Sequence, residues 1–484
     1  MKKKSYFALA LALPLSLSCN GGNIGGNNVD NDGGTGGGPP DFANCVGLEC
    51  NVDESKCTPA NPTSISGTVY IPAGTLPLYN AKVYIPTDPD PANLPAITTG
   101  VDVVNGSCDR CDSAQTGIAS AVTDLNGKFT LSPVPVGVPF PVVIRVGKWR
   151  RVVMMPAIGS SCTSTPLTAD QTRLPRNQSE GNIPKIALTT GNADALECLL
   201  RGPKLGLDAS EFTNANGTGR VNLYSGNGTD RYSTGVNGGA AFTAADPWWN
   251  TAANLSKYDI VLHSCQGGQN IYAAGSAANA HAALETYIAK GGRVFASHWH
   301  NIWISGATPA SGVPTVASFL NTGGFQDDSG NPITAIINQS FDKGKSLAQW
   351  LVNANPQGAI KLGELPIKYS RVTLRSRNAA LTTNWADFTD PNAAADGVAS
   401  PASQYFSFNA PVGAAAGQQC GQMVFTDMHV SGSGNANGDT SRPSSSASPT
   451  PFPTGCKSPA LSPQEQALIF LLFDLTNCIT VPIG

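Results

Sequence analysis

The chain has five histidines in 484 residues. Four of them fall at the ends of short apolar runs. Asp259-Ile-Val-Leu leads into His263 and Cys265. Arg293-Val-Phe-Ala leads into Ser297, His298 and His300. Gly421-Gln-Met-Val-Phe-Thr leads into Asp427 and His429. Residues two apart on a strand share a side, so His298 and His300 would pair on one strand, and Asp427 and His429 on another. If those strands are neighbours, His298, His300, Asp427 and His429 converge. Three nitrogens and one oxygen with an open position suit a divalent ion such as zinc or manganese. A second chemistry uses Ser297 as nucleophile, His429 or His263 as base, the backbone around Gly267 as oxyanion donor and Asp427 as the third group. In either case His298 is central, and His263, Cys265, Gly267 and Trp299 would line a bound ligand. The plain alternative is that a strand-end histidine hydrogen-bonds a loop and that Trp299 packs. His281 sits in a predicted helix, outside the cluster.

The elements that would hold these residues are legible. Tyr258 to Leu262 is an apolar run with β-branched residues, closed by Gly267-Gly268, and predicts a buried parallel strand. Ala277 to Lys290 carries Leu284, Tyr287 and Ile288 at helical spacing and is stopped by Gly291-Gly292. Arg293 to Ala296 is a second strand. The three form a β-α-β unit with a right-handed crossover. Ligands of open α/β sheets sit at the carboxyl ends of strands, where these polar residues fall.

The composition sets bounds. The formal net charge is -3, with 13% charged and 41% hydrophobic residues. A nucleic-acid binder would need a basic face, so that class is excluded. Lys2, Lys3 and Lys4 precede an apolar stretch from Tyr6 to Leu17, too short for a confident membrane span. With Ser16 and Ser18 before Cys19, residues 1–18 resemble a bacterial lipoprotein signal peptide. That resemblance implies lipidation at Cys19 and an outer-membrane-anchored place in the cell envelope; plain secretion is the alternative. Residues 19–44 follow as a Gly/Asn tether, whose flexible part would span about 25 Å.

Twelve cysteines in an exported chain predict disulfides. Cys420 with Cys456 and Cys198 with Cys478 are the expected pairs. Cys45, Cys50, Cys57, Cys108, Cys111 and Cys162 would serve the first domain, leaving Cys265 as the odd thiol. Residues 45–62 read as a Cys-rich lead-in.

Residues 63–156 read as short strands: Ser64 to Tyr70, Tyr79 to Ile85, a hairpin turning at Asn126-Gly127, and Pro141 to Val146. Ser66-Gly-Thr-Val-Tyr70, Asn80-Ala-Lys-Val83, Thr123-Asp-Leu-Asn-Gly-Lys-Phe129 and Pro135-Val-Gly137 resemble the carboxypeptidase regulatory-like domain. The resemblance implies a small transthyretin-like β-sandwich without catalysis of its own, acting as spacer, stabiliser or carbohydrate-binding-like module. Trp149-Arg150-Arg151 is either a patch for a partner or sugar, or a tryptophan packed on the next domain beside solvated arginines. Residues 157–182 read as a linker.

Residues 183–484 alternate strands and helices. Ile183 to Gly191 and Gly219 to Tyr224 are strands, Asp194 to Arg201 a helix. Ser311 to Leu320 is expected to be helical, residues 322–403 an insertion lining the site, and 431–455 a mobile loop. Ser462-Pro-Gln-Glu465 is a capping-box-like start to a terminal helix. The Asp259 strand, Gly291-Gly-Arg-Val-Phe-Ala-Ser-His298, and Gly421 to His429 with its terminal helix resemble the ThuA-like proteins of the class I glutamine-amidotransferase-like superfamily. The resemblance implies a flavodoxin-like fold and a link to sugar metabolism. In amidotransferases the nucleophilic Cys occupies the turn that Ser297-His298 takes here, so glutaminase activity is not expected. The expected fold class is therefore multi-domain: a small all-β sandwich followed by an α/β flavodoxin-like parallel-sheet domain. The expected function is an envelope lipoprotein binding a carbohydrate or an envelope partner. The alternative is a metal-assisted or Ser/His-dependent hydrolase or sugar-modifying enzyme.

Overall fold

The computed structural model describes residues 45–104, 108, 117–269, 277–305, 315–321, 324–326, 331–355, 358–429, 450–456 and 460–476. Chain contacts divide the protein into Met1–Asp41 and Phe42–Gly484, and every described element belongs to the second unit. The signal segment, Cys19, Cys111, Cys478 and residues 431–449 of the expected mobile loop lie outside the described residues. The architecture is mostly β followed by α/β.

The first part holds β1 (Ser64–Thr68), β2 (Lys82–Ile85), β3 (Ala119–Val122), β4 (Lys128–Leu131), β5 (Phe140–Val146), β6 (Trp149–Met155), β7 (Ser164–Pro166) and β8 (Gly181–Asn182). They form a three-stranded sheet, β4-β1-β7, and a five-stranded sheet, β3-β2-β5-β6-β8. The turn at Asn126-Gly127 is present, but it does not make a hairpin. Asp124 accepts from the Asn126 and Lys128 backbone N–H groups and turns the chain from one sheet into the other, so β3 and β4 pair with different partners. The stretch expected to be a linker contributes β7 beside β1 and β8 beside β6.

Trp149 is buried and packs on Phe473 of the C-terminal helix, with ring centroids 5.7 Å apart. An aromatic pair of this kind contributes about 1 kcal/mol beyond its burial. The neighbouring arginines point elsewhere: Arg150 donates to the Pro95 carbonyl and Arg151 to the Asp170 and Arg173 carbonyls. Arg173 in turn clamps Glu180 through two nitrogens, at 2.6 and 2.7 Å. The Arg173 guanidinium, with the Arg176 N–H, holds the Glu180 carboxyl down to about 2 from 4.5. A depressed carboxylate stabilises the fold above its unfolded pKa and loses that contribution as pH falls. The stability gap between the native chain and Glu180→Gln is therefore expected to be full above pH 4.5 and to close towards pH 2. Urea titrations at several pH values check it; a gap independent of pH would contradict it.

The second part begins with β9 (Ile186–Thr189), β10 (Phe212–Thr213), β11 (Val221–Ser225), β12 (Thr243–Ala244), β13 (Ile260–His263) and β14 (Arg293–Ser297). It continues with β15 (Ala317–Phe319), β16 (Phe325–Gln326), β17 (Ile333–Ile337), β18 (Glu364–Ile367), β19 (Arg371–Val372), β20 (Leu374–Arg377), β21 (Thr383–Phe388), β22 (Ala402–Ala410) and β23 (Gly421–Thr426). The main sheet runs β10-β11-β9-β13-β14-β23-β22-β21-β17-β18, with β12 on β11. From β10 to β23 all pairings are parallel; from β23 onward they are antiparallel. The expected insertion thus extends the sheet by β17, β18 and β21. Residues 317–319, within the expected helix from Ser311 to Leu320, are strand β15, paired with β20.

The parallel strands are buried apolar runs because helices cover them. Ala277–Ala289 is the crossover between β13 and β14. Pro463–Thr476 is the terminal helix; it touches β14 and β23 and is buried on nearly every face. Its capping box forms as expected: Glu465 accepts from the Ser462 N–H, and the Glu465 N–H donates to the Ser462 hydroxyl.

The expected disulfide pairs are corrected. Cys45–Cys50, Cys57–Cys162, Cys108–Cys420 and Cys198–Cys456 are bonded. Cys420 opens toward the segment before β3, and Cys456 is brought to the helix at Cys198. Among the described residues Cys265 alone is a free thiol, and it is buried.

Candidate functional site at three strand ends

β13, β14 and β23 are consecutive in the sheet and parallel, with His263 opposite Ala296 and Ser297 opposite Thr426. Their carboxyl ends are therefore side by side. Each supplies one chemically able residue just beyond the strand: Cys265, His298 and His429. One ligand atom from each lies within 4.8 Å of the others. The Cys265 Sγ is 3.3 Å from His298 Nδ1, and the His298 and His429 rings are 4.9 Å apart. All three are almost completely buried.

Local backbone explains the convergence. After Ser297 the chain enters a 3-10 turn, His298–Asn301. His298 adopts φ 45, a left-handed conformation unusual for a residue with a Cβ. That twist aims its ring at the end of β13. On the other side, Gly191, just past β9, lets the Cys265 backbone approach closely, since a Cβ there would meet the Cys265 carbonyl. The Ala193 N–H donates to that same carbonyl at 3.1 Å.

The expected quartet divides. Because residues 298–301 form a 3-10 turn, His298 and His300 diverge by about 240° rather than sharing a side. His300 stacks instead on His263, at 4.8 Å, and accepts from the Trp303 indole N–H at 2.9 Å. His263 contacts the Thr189 hydroxyl through Nδ1 at 3.0 Å. β23 ends at Thr426, so the period-two argument fails for Asp427 and His429 as well. Asp427 turns to Thr373, whose N–H and hydroxyl it accepts at 2.9 and 3.0 Å. Ser297 does not meet an imidazole: its hydroxyl donates to Asp194 at 2.7 Å. Gly267 and Trp299 do reach the site, through backbone N–H groups that favour the charged sulfur of Cys265.

Burial dominates the electrostatics. It pushes the Cys265 thiol up to about 12, against those two N–H groups. It pulls His298 and His429 well below their usual range, helped by the positive charge of Arg371 and, for His429, by His298. Burial raises Asp427 to about 7, against the Thr373 hydrogen bonds and the Arg371 charge. The trio is thus a neutral thiol and two neutral imidazoles. Among the described residues neither ring nitrogen of His429 and not the Nε2 of His298 has a hydrogen-bond partner. Buried polar atoms of this kind ordinarily find one.

Sequence reasoning missed Arg371, Thr373 and Asp194 and undervalued Cys265. Cys265 appeared as a lining residue rather than a member of the trio; its status as the odd thiol was the available signal. Arg371 and Thr373 come from the insertion, and Asp194 from the segment after β9, with no motif to mark them. A separate apolar cavity of about 420 Å³ is bounded by Leu284, Ile288, Trp303, Phe319, Phe408 and Met423, and none of the trio lines it.

No family model matches the chain, and no curated protein matches it. Among solved structures it is similar to a ThuA-like protein from Bacteroides uniformis, with 10% identity, covering 59% of this chain and 88% of that one, at a TM-score of 0.29. Among the described residues no helix is long and apolar enough to cross a membrane.

Proposed function

We propose that this chain is an exported cell-envelope protein, lipid-anchored at Cys19, in which a regulatory-like β-sandwich accompanies a flavodoxin-like, ThuA-like domain. In this reading the domain binds a carbohydrate or an envelope partner at its strand ends and does not hydrolyse glutamine. The order of the parallel strands supports the flavodoxin-like part: β11, β9, β13, β14 and β23 run second, first, third, fourth, fifth in the chain. Ligands of such sheets bind where the order reverses, beside β9 and β13.

The observation that carries the non-amidotransferase reading is the residue on the turn after β14. It is His298, at φ 45, and not a thiol. Cys265 sits against it but on another strand, with its thiol kept neutral by burial, whereas a nucleophilic cysteine needs a stabilised thiolate. The test is paired on the full chain. Glutamine hydrolysis is expected to be absent, and glycan-array binding is expected to be lost in the His298→Ala, His429→Ala double variant. Turnover of glutamine would overturn the reading, and a blank array would remove carbohydrate as the ligand class.

The second reading, a metal-assisted hydrolase or sugar-modifying enzyme, is favoured by the Cys265–His298–His429 grouping. The Ser/His form of it has less support, because Ser297 is tied to Asp194.

A further inference from the structure

We infer that Cys265 Sγ, one ring nitrogen of His298 and one of His429 are the protein ligands of a divalent transition ion, zinc being the natural probe. The inference rests on the reading that the strand ends are the functional site. It does not depend on the envelope location or on the carbohydrate.

The geometry comes first. A tetrahedral zinc with Zn–S near 2.3 Å and Zn–N near 2.05 Å places sulfur and nitrogen about 3.6 Å apart. The Cys265 Sγ to His298 Nδ1 separation is 3.3 Å. The widest separation in the trio, within 4.8 Å, would have to shorten by about 1 Å on binding. Three protein ligands with a fourth position left to solvent or substrate are the pattern of catalytic zinc, and one sulfur with two imidazoles suits an ion of borderline softness. Manganese and magnesium, which prefer oxygen, fit this donor set poorly.

The second observation is independent of spacing. His429 is fully buried, and among the described residues both of its nitrogens lack a partner. The backbone around it is fixed: Gln464 donates to the His429 carbonyl. A hydrophobic residue would fill such a place at less cost. His298 adds a strained backbone whose effect is to aim its ring at the thiol.

The charges also allow it. Arg371 lies close enough to act on Cys265, His298, Asp427 and His429, and alone it would repel a cation. Asp194 and Asp427 offset it. With Cys265 bound as thiolate, its proton having left to solvent, and with Asp194 and Asp427 both ionised, a divalent ion beside Arg371 leaves the buried site formally neutral; the ion itself favours ionisation of Asp427, which burial opposes. The N–H groups of Trp299 and Gly267 already face the sulfur and would stabilise the bound thiolate.

The experiment uses the full, disulfide-intact chain, stripped of metal and titrated with zinc alone and cobalt alone. The native protein is expected to take up one equivalent and, with cobalt, to show a thiolate-to-metal charge-transfer band with the intense visible bands of a four-coordinate ion. Cys265→Ser is expected to lose the charge-transfer band, and His429→Gln to bind at least about 100-fold more weakly. The inference is overturned if the folded native chain takes up no stoichiometric ion, or if all three proteins take it up equally. The native chain decides this even if a variant misfolds. Metal uptake without glycan binding sustains this site and removes the proposed ligand; glycan binding without metal uptake does the reverse.

Discussion

Lys204→Met is expected to lower the unfolding free energy by about 3–5 kcal/mol, the usual result of removing one partner from a buried ion pair. Lys204 and Glu465 are 1% and 0% exposed, and the ammonium meets both carboxylate oxygens at 2.8 Å. Burial raises the Glu465 carboxyl, and Lys204 works against that rise. Without Lys204 the carboxylate must either stay charged in an apolar helix or take up a proton. Replacing both partners, Lys204→Met with Glu465→Leu, removes the buried charge altogether and is expected to recover most of the loss. The pair matters to the site because Glu465 begins the terminal helix, and its neighbour Gln464 holds the His429 carbonyl and accepts the Lys368 N–H. Urea denaturation of the single and double variants checks this; a single-variant loss under about 1 kcal/mol would place the pair among those that contribute little.

At position 298 the usual order of glycine and alanine is expected to reverse. In most places glycine is the less stable residue, by roughly 0.5–1 kcal/mol, because it loses more backbone freedom on folding. His298 has φ 45, and a residue with a Cβ in that region is disfavoured by about 1–2 kcal/mol. Both His298→Ala and His298→Gly remove the imidazole, so the lost ring contacts cancel between them. His298→Gly is therefore expected to be the more stable variant, by about 1 kcal/mol. Both are expected to lose ion binding alike. Guanidine unfolding of the two variants side by side is the check. If His298→Ala were instead the more stable by the usual roughly 0.5–1 kcal/mol, the turn would carry no strain, and the view that His298 is held there for its ring would lose its support.

What the sequence made legible was what local physics decides. The apolar runs of β13 and β14, the helix stopped by Gly291-Gly292, and the capping box of Ser462 and Glu465 each rest on residues close together in the chain. The gathering of histidines at strand ends was visible for the same reason. The membership of the cluster was not. Nothing in His298-Trp-His-Asn301 signals a 3-10 turn, since it has neither glycine nor proline, and so His300 was assigned to the wrong side. The strand register that brings Cys265 against His298 depends on β13 and β14 being neighbours, which the β-α-β unit implied, and on how far the chain runs past each strand, which it did not. The pairings Cys108–Cys420 and Cys198–Cys456 join distant segments that only the folded chain brings together. In the insertion β17 exposes Ile336 while burying Ala335, so hydropathy does not mark its faces, and Arg371 and Thr373 lie at the short strand β19, paired only with β16.

The central claim is that Cys265, His298 and His429 act together on one ion. Zinc X-ray absorption on the native full-length chain tests it most directly. The account predicts a first shell of one sulfur at about 2.3 Å with two imidazole nitrogens at about 2.0–2.1 Å and one further light atom. A shell of oxygen and nitrogen alone, unchanged in Cys265→Ser, would place the ion elsewhere and contradict it.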